Sequence, residues 1–169
     1  MARAQASDPL HGFRFHVRTE VKEFLFHGGD ENIGGEAGFQ SVTVPEVSME
    51  AVEYREGTMT YTRKYPGVPT VTDITLMRGA TKKDTAFWNW TKAAIEGGEY
   101  RTDLVIYHFH RDAKEHLKVG DLTKARQYVC RECLPLRVKP AGDLEAMASE
   151  VSLAEMDVAT EYFEIIDAT

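Results

Sequence analysis

The residues with the clearest chemical potential are Cys130 and Cys133, two thiols separated by Arg131 and Glu132. Zinc accepts two thiolates and two imidazoles in a tetrahedron. His108 and His110, at i and i+2 on one face of a predicted strand, are the imidazoles that such a site would recruit. A redox dithiol would need the pair at a helix N-terminus after a strand, to lower the thiol pKa. Here Leu134-Pro135 follows and breaks a helix start. The plainer reading is two small apolar side chains packed in a strand or bulge, with ordinary surface or partner contacts for the histidines. We prefer it and expect no metal and no cofactor, keeping a small metal-binding or redox domain as the alternative of another class. No nucleophile elbow, phosphate loop or dinucleotide fingerprint occurs. Gly28-Gly29 and Gly34-Gly35 do not sit between a strand and a helix. No two acidic residues stand out as a catalytic dyad. No catalytic residue is assigned, and an enzyme is not expected.

The elements that would position these residues are mostly strands. Phe13 to Arg18 alternates, with Phe13, Phe15 and Val17 on one side. A long polar loop spans 19–38, with a short strand near Phe24 to Phe26. Phe39 to Val44 and Val47 to Arg55 read as strands, with a bulge where the apolar phase slips between Ala51 and Val52. Glu56-Gly57 makes a turn and Thr58 to Arg63 a strand. Tyr65-Pro66-Gly67-Val68-Pro69 reads as a loop, because proline cannot donate to a ladder. Val71 to Arg78 is a strand that Gly79 ends. One helix follows, with Thr81 as cap, Asp84 behind it, and a stripe of Phe87, Trp90, Ala93 and Ala94. Trp90 belongs to the core by that spacing, whereas Trp88 lies off the stripe and suits an interface. Gly97-Gly98 stops the helix. Tyr100 to His110 is the most apolar strand, a charged connector runs from Arg111 to Lys124, and alternation returns at Tyr128 to Val138. A helical turn fits Gly142 to Met147, and Val151 to Ile166 closes the chain as one or two strands. Many strands, one helix and no βαβ alternation predict a mainly β fold, two antiparallel sheets in a sandwich or barrel with one helix alongside.

The bulk numbers agree. The chain has 169 residues, which suits one domain spanning 1–169. Its net charge of -7 disfavours nucleic-acid phosphates and anionic membrane surfaces. No apolar run approaches the ~20 residues that span a bilayer, so no membrane anchoring is expected. Met1 to Leu10 lacks the apolar core of a signal peptide, which predicts synthesis in the cytoplasm without export. Two cysteines make no disulfide framework and fit a reducing compartment.

Read in order, several segments resemble a known family. Asp8-Pro9-Leu10 leads into Phe13-Arg14-Phe15, and Ala37-Gly38-Phe39-Gln40-Ser41-Val42 precedes the strand ending Val52-Glu53-Tyr54-Arg55-Glu56-Gly57. Lys64-Tyr65-Pro66-Gly67, Ile74-Thr75-Leu76-Met77-Arg78-Gly79, Phe87-Trp88-Asn89-Trp90 and Pro140 to Leu144 follow, before a closing strand. The pattern is similar to the tail tube proteins of contractile phages and phage-tail-like injection systems, relatives of the type VI secretion ring proteins. The resemblance implies the same β fold, assembled as hexameric rings stacked into a hollow tube. It implies as partners other copies of the chain, a sheath protein, baseplate proteins, and DNA or protein cargo in the lumen. The tube would belong to a phage tail or an injection particle. It marks Phe39, Pro66, Gly67, Arg78, Gly79 and Trp88 as fold- or assembly-defining; the plainer reading of each is intramolecular. Val44-Pro45, where many members carry a glycine, and the long stretch Thr19 to Glu36 depart from the pattern and point to a baseplate or tube-initiator ring as the alternative. A monomeric ligand-binding sandwich is a further reading.

Overall fold

The computed structural model describes residues 10–19, 38–80, 85–109, 125–146 and 149–167. Among them the order is β1 (Phe15–Thr19), β2 (Phe39–Val42), β3 (Val47–Tyr54), β4 (Arg63–Val71), β5 (Ile74–Gly79), α1 (Ala86–Glu96), β6 (Thr102–His108), β7 (Arg126–Lys139), β8 (Leu153–Ala159) and β9 (Tyr162–Ile166). All pairings are antiparallel. The fold is mainly β with one helix, as expected.

The 14-residue β7 organises the body. Its first half pairs β6 on one side and β9 on the other, with β1 beyond β6. Its second half pairs β8, and β8 leads on to β5 and β2. A strand that changes sheets through a bend makes a corner between two packed layers. The shared core holds Val17, Leu104, Ile106 and Cys130 from the first half-sheet, and Ile74, Leu76, Met156 and Val158 from the second. Phe87 and Trp90 enter from α1. The Trp90 indole N–H donates to the Tyr100 carbonyl at 2.6 Å, so its one polar atom is satisfied in the core. Gly97 ends α1 at φ 73, and the N–H of Gly98 reaches the Ala93 carbonyl at 2.9 Å.

The bend in β7 has a local cause. Thr102 opposes Cys133 and Leu104 opposes Cys130, so Asp103 alone faces Arg131 and Glu132. Two residues against one is a bulge. Glu132 sits at φ 52, which a side chain adopts only when its surroundings hold it there. The Asp103 carboxylate supplies that hold: it accepts the Glu132 N–H at 3.0 Å and the Arg131 guanidinium at 2.5 Å. Hydrogen bonds to charged groups contribute roughly 1.5–3 kcal/mol. Asp103→Ala should therefore lower Tm by about 5–10 °C in a chain of this size, measured by circular dichroism; an unchanged Tm would contradict this role.

Several boundaries differ from expectation. Phe13 lies outside β1 and is exposed, and Thr19 completes the inward set with Val17. Thr58 to Arg63 is not a strand; β4 begins at Arg63 and runs through both prolines, so Pro66-Gly67-Val68-Pro69 is strand and not loop. The predicted strand from Val71 is divided: Val71 ends β4, and β5 starts at Ile74 after Thr72-Asp73. Gly142 to Ala146 holds no helix. The expected loop between 20 and 37, the expected Thr81 cap with Asp84, His110, the expected connector at 111–124 and Met147 lie outside the described residues. Among the described residues no helix is long and apolar enough to cross a membrane.

Candidate assembly surface

Beyond the body stands a two-stranded ribbon, β3 with β4. It continues the β2–β5 edge: Thr43 N–H donates to the Thr75 carbonyl at 2.9 Å, the Thr72 N–H donates to the Glu46 carbonyl at 3.0 Å, and the Glu46 N–H donates to the Thr72 hydroxyl at 2.8 Å. Every residue of β3 is exposed, and so is every residue of β4 except the half-buried Gly67 and Val71.

The register explains how prolines enter a strand. Met49 opposes Pro69 and Ala51 opposes Pro66, so Glu50 alone faces Gly67 and Val68. In an unbroken strand, residues three apart point their N–H groups to opposite edges. The bulge restores the phase, and both prolines occupy pairs that require no N–H from them. The register is unbroken at the expected Ala51–Val52 step; the bulge lies instead on β4, at Gly67-Val68 opposite Glu50. Gly67 is required there: a Cβ would stand 2.6 Å from the Glu50 carbonyl oxygen. Gly67→Val should break the bulge and turn every side chain beyond it. We expect it to raise the protein concentration needed for self-association at least about tenfold, equivalent to ~1.4 kcal/mol, with Tm little changed. Sedimentation velocity checks this, and wild-type association would contradict it.

The ribbon carries apolar side chains on both faces, beside the Glu53–Lys64 ion pair on one and the Ser48–Thr70 hydroxyl pair on the other. By register, Val47, Met49 and Ala51 share one face with Pro66, Pro69 and Val71, while Val52 and Tyr54 share the other with Tyr65. Val68, at the bulge, is 80% exposed. An isolated two-stranded ribbon is marginal in water, and contiguous exposed apolar surface marks an interaction site. Sequence reasoning found β3, but it missed β4 because it discounted a strand containing two prolines. Apolar residues at both parities of Val47 to Tyr54 were the available signal.

The other candidates divide between core and surface. Arg78 is only 3% exposed, with its guanidinium 3.9 Å from the centroid of the Phe87 ring and 5.8 Å from that of Phe39. Gly79 ends β5, where a Cβ would make ordinary contact with Val151. Trp88 is 49% exposed and, with Arg78, Phe87 and Pro140, lines an open groove of about 450 Å³.

Cys130 and Cys133 are both buried. Spacing of three would normally send them to opposite faces; the bulge at Arg131-Glu132 turns both inward. His108 is not beside them. It opposes Arg126, four residues along β7 from Cys130, roughly 13 Å away, and its Nε2 lies 2.9 Å from the His11 carbonyl. Burial pushes the Cys130 thiol up to about 12 and the Cys133 thiol up to about 11. Both are therefore protonated and unreactive near neutral pH. Iodoacetamide at pH 8 should modify neither until the protein unfolds, as mass spectrometry would show; rapid native labelling would contradict the burial. Because the folded values lie above the ordinary 9.0, the stability linked to these thiols is intact below pH 9. It is lost as pH rises toward 11–12.

Among proteins of curated function, none matches the chain. Among solved structures, the chain superposes on a chain of the anti-feeding prophage baseplate with TM-score 0.71 and 16% identity, covering 96% of this chain and 99% of that one. A chain of the PVC sheath–tube complex, an extracellular contractile injection system in its extended state, gives TM-score 0.72 and 20% identity over 96% and 95%. A type six secretion system protein gives TM-score 0.53 and 10% identity over 89% and 81%. These similarities establish a shared fold. The model of the T4-like virus tail tube protein gp19 family matches residues 11–164, nearly the whole described body and its ribbon, and the chain belongs to that family.

Proposed function

We propose that this chain is the structural subunit of the inner tube of a contractile tail or injection system, forming sixfold rings that stack around a lumen. The observation that carries the reading is the ribbon: β3 and β4 project from the body with apolar side chains on both faces and are exposed along almost their whole length. Such a surface needs another molecule over it, and in a family of tube proteins the neighbouring copy meets that need. Among the described residues β9 pairs only with β7, an edge that ring closure would cover.

The work of such a subunit is mechanical and requires no bond-making group. Its partners in this reading are a surrounding sheath protein, baseplate proteins, and DNA or protein cargo in the lumen; the similar chains come from a sheath–tube complex and a baseplate. The net charge of -7 would keep a polyanionic cargo from sticking. The baseplate likeness also favours a second reading, a tube-initiator ring. Copy number separates the two: quantitative mass spectrometry of purified particles should find many rings' worth of this chain for a tube subunit, against one or a few for an initiator. Absence from the particle would contradict both.

A further inference from the structure

We propose that the groove beneath Trp88 is the seat for the Tyr65-Pro66-Gly67-Val68-Pro69 segment of a second copy of this chain. The proposal rests on the tube-subunit reading and adds the surface that receives the ribbon. The groove, about 450 Å³, is walled by Trp88 and Pro140 and floored by Phe87 and Arg78. That volume is enough for two or three side chains on the scale of ordinary binding pockets, roughly 300–1,000 Å³. Aromatic-lined grooves take extended proline-bearing segments, because proline and tryptophan faces stack and the segment has little entropy left to lose. Pairing with β3 already fixes Tyr65, Pro66 and Pro69, with Gly67-Val68 held in the bulge between them. Arg78 lies against Phe87 at 3.9 Å and fixes that ring as the floor of the groove.

The occupant comes from another molecule. Trp88 and Val68 are 49% and 80% exposed in the isolated chain, so donor and acceptor do not cover each other. They are also different patches, one on a ribbon beyond the β2–β5 edge and one beside α1. A contact between two different patches is heterologous. It propagates from copy to copy and closes into a ring or runs on as a filament.

That asymmetry makes the test decisive. Val68→Asp spoils the donor and leaves the acceptor; Trp88→Asp does the reverse. Both sites are on the surface, and the Tm of each variant checks folding; Trp88→Ser replaces Trp88→Asp if the latter melts early. By sedimentation velocity, each variant alone should stay monomeric at concentrations where wild type assembles. An equimolar mixture should give 1:1 dimers and nothing larger, since only one productive pairing remains. A folded Trp88→Asp or Trp88→Ser protein that builds wild-type assemblies, or a mixture that stays monomeric, overturns the pairing while wild-type rings leave the tube reading standing. A wild type that fails to assemble even with baseplate and sheath proteins overturns both. A folded Trp88 variant that assembles normally but no longer binds sheath protein gives the groove to the sheath and also overturns the pairing.

Discussion

Val52→Asp/Tyr65→Asp should abolish self-association while leaving the subunit folded. The two residues face each other across β3 and β4 on one side of the ribbon. Burying each side chain against a neighbour is worth roughly 1.5–3 kcal/mol, and an aspartate there would enter the contact uncompensated. Losing both contacts should weaken each junction by about 10²- to 10⁴-fold. The same change should move Tm by no more than about 2–3 °C, because β3 and β4 pair with each other and their residues are exposed. Light scattering across a concentration series checks the first half, and thermal denaturation the second. A large fall in Tm would mean that the ribbon supports the body, and unchanged association would mean that this face is not an interface.

Trp90→Ala should show the opposite profile. Trp90 is fully buried in the core that α1 shares with the two half-sheets, and it is hydrogen-bonded to the Tyr100 carbonyl. Removing a buried tryptophan costs about 3–5 kcal/mol, near 10–15 °C in a chain of this length. The orphaned Tyr100 carbonyl adds to the loss. Trp90→Phe, which keeps one aromatic ring but loses the N–H and part of the volume, should fall between. Comparable Tm values for all three proteins would contradict the core assignment.

How much of this was legible in the sequence depends on periodicity. The helix and its inward stripe were, because Phe87, Trp90 and Ala93 recur at helical spacing and glycines close the end. So were β6 and β8, where alternation or a long apolar run survives intact. Legibility was uneven at the bulges. For Cys130 and Cys133 the preferred reading, packing in a strand or bulge, holds beside the metal and redox alternatives, whereas Pro66 with Pro69 invited a loop. In both places the physical event is the same: two strand residues face one, so residues three apart share a face or an edge. A period of two cannot reveal this, because the extra residue is specified by the partner strand, by Asp103 in one case and by the Glu50 carbonyl in the other. The groove was only half visible. Trp88 fell off the core stripe as predicted, but nothing local brings Pro140 and Arg78 to it; β5 and β8 do so by pairing residues far apart in the chain, as Arg78 with Ala154.

The central claim is that this chain builds a tube. Electron microscopy of the purified protein, alone and then with its baseplate and sheath proteins, tests it most directly. Sixfold rings or stacked hollow tubes are the predicted result. A protein that remains monomeric in both conditions would contradict it.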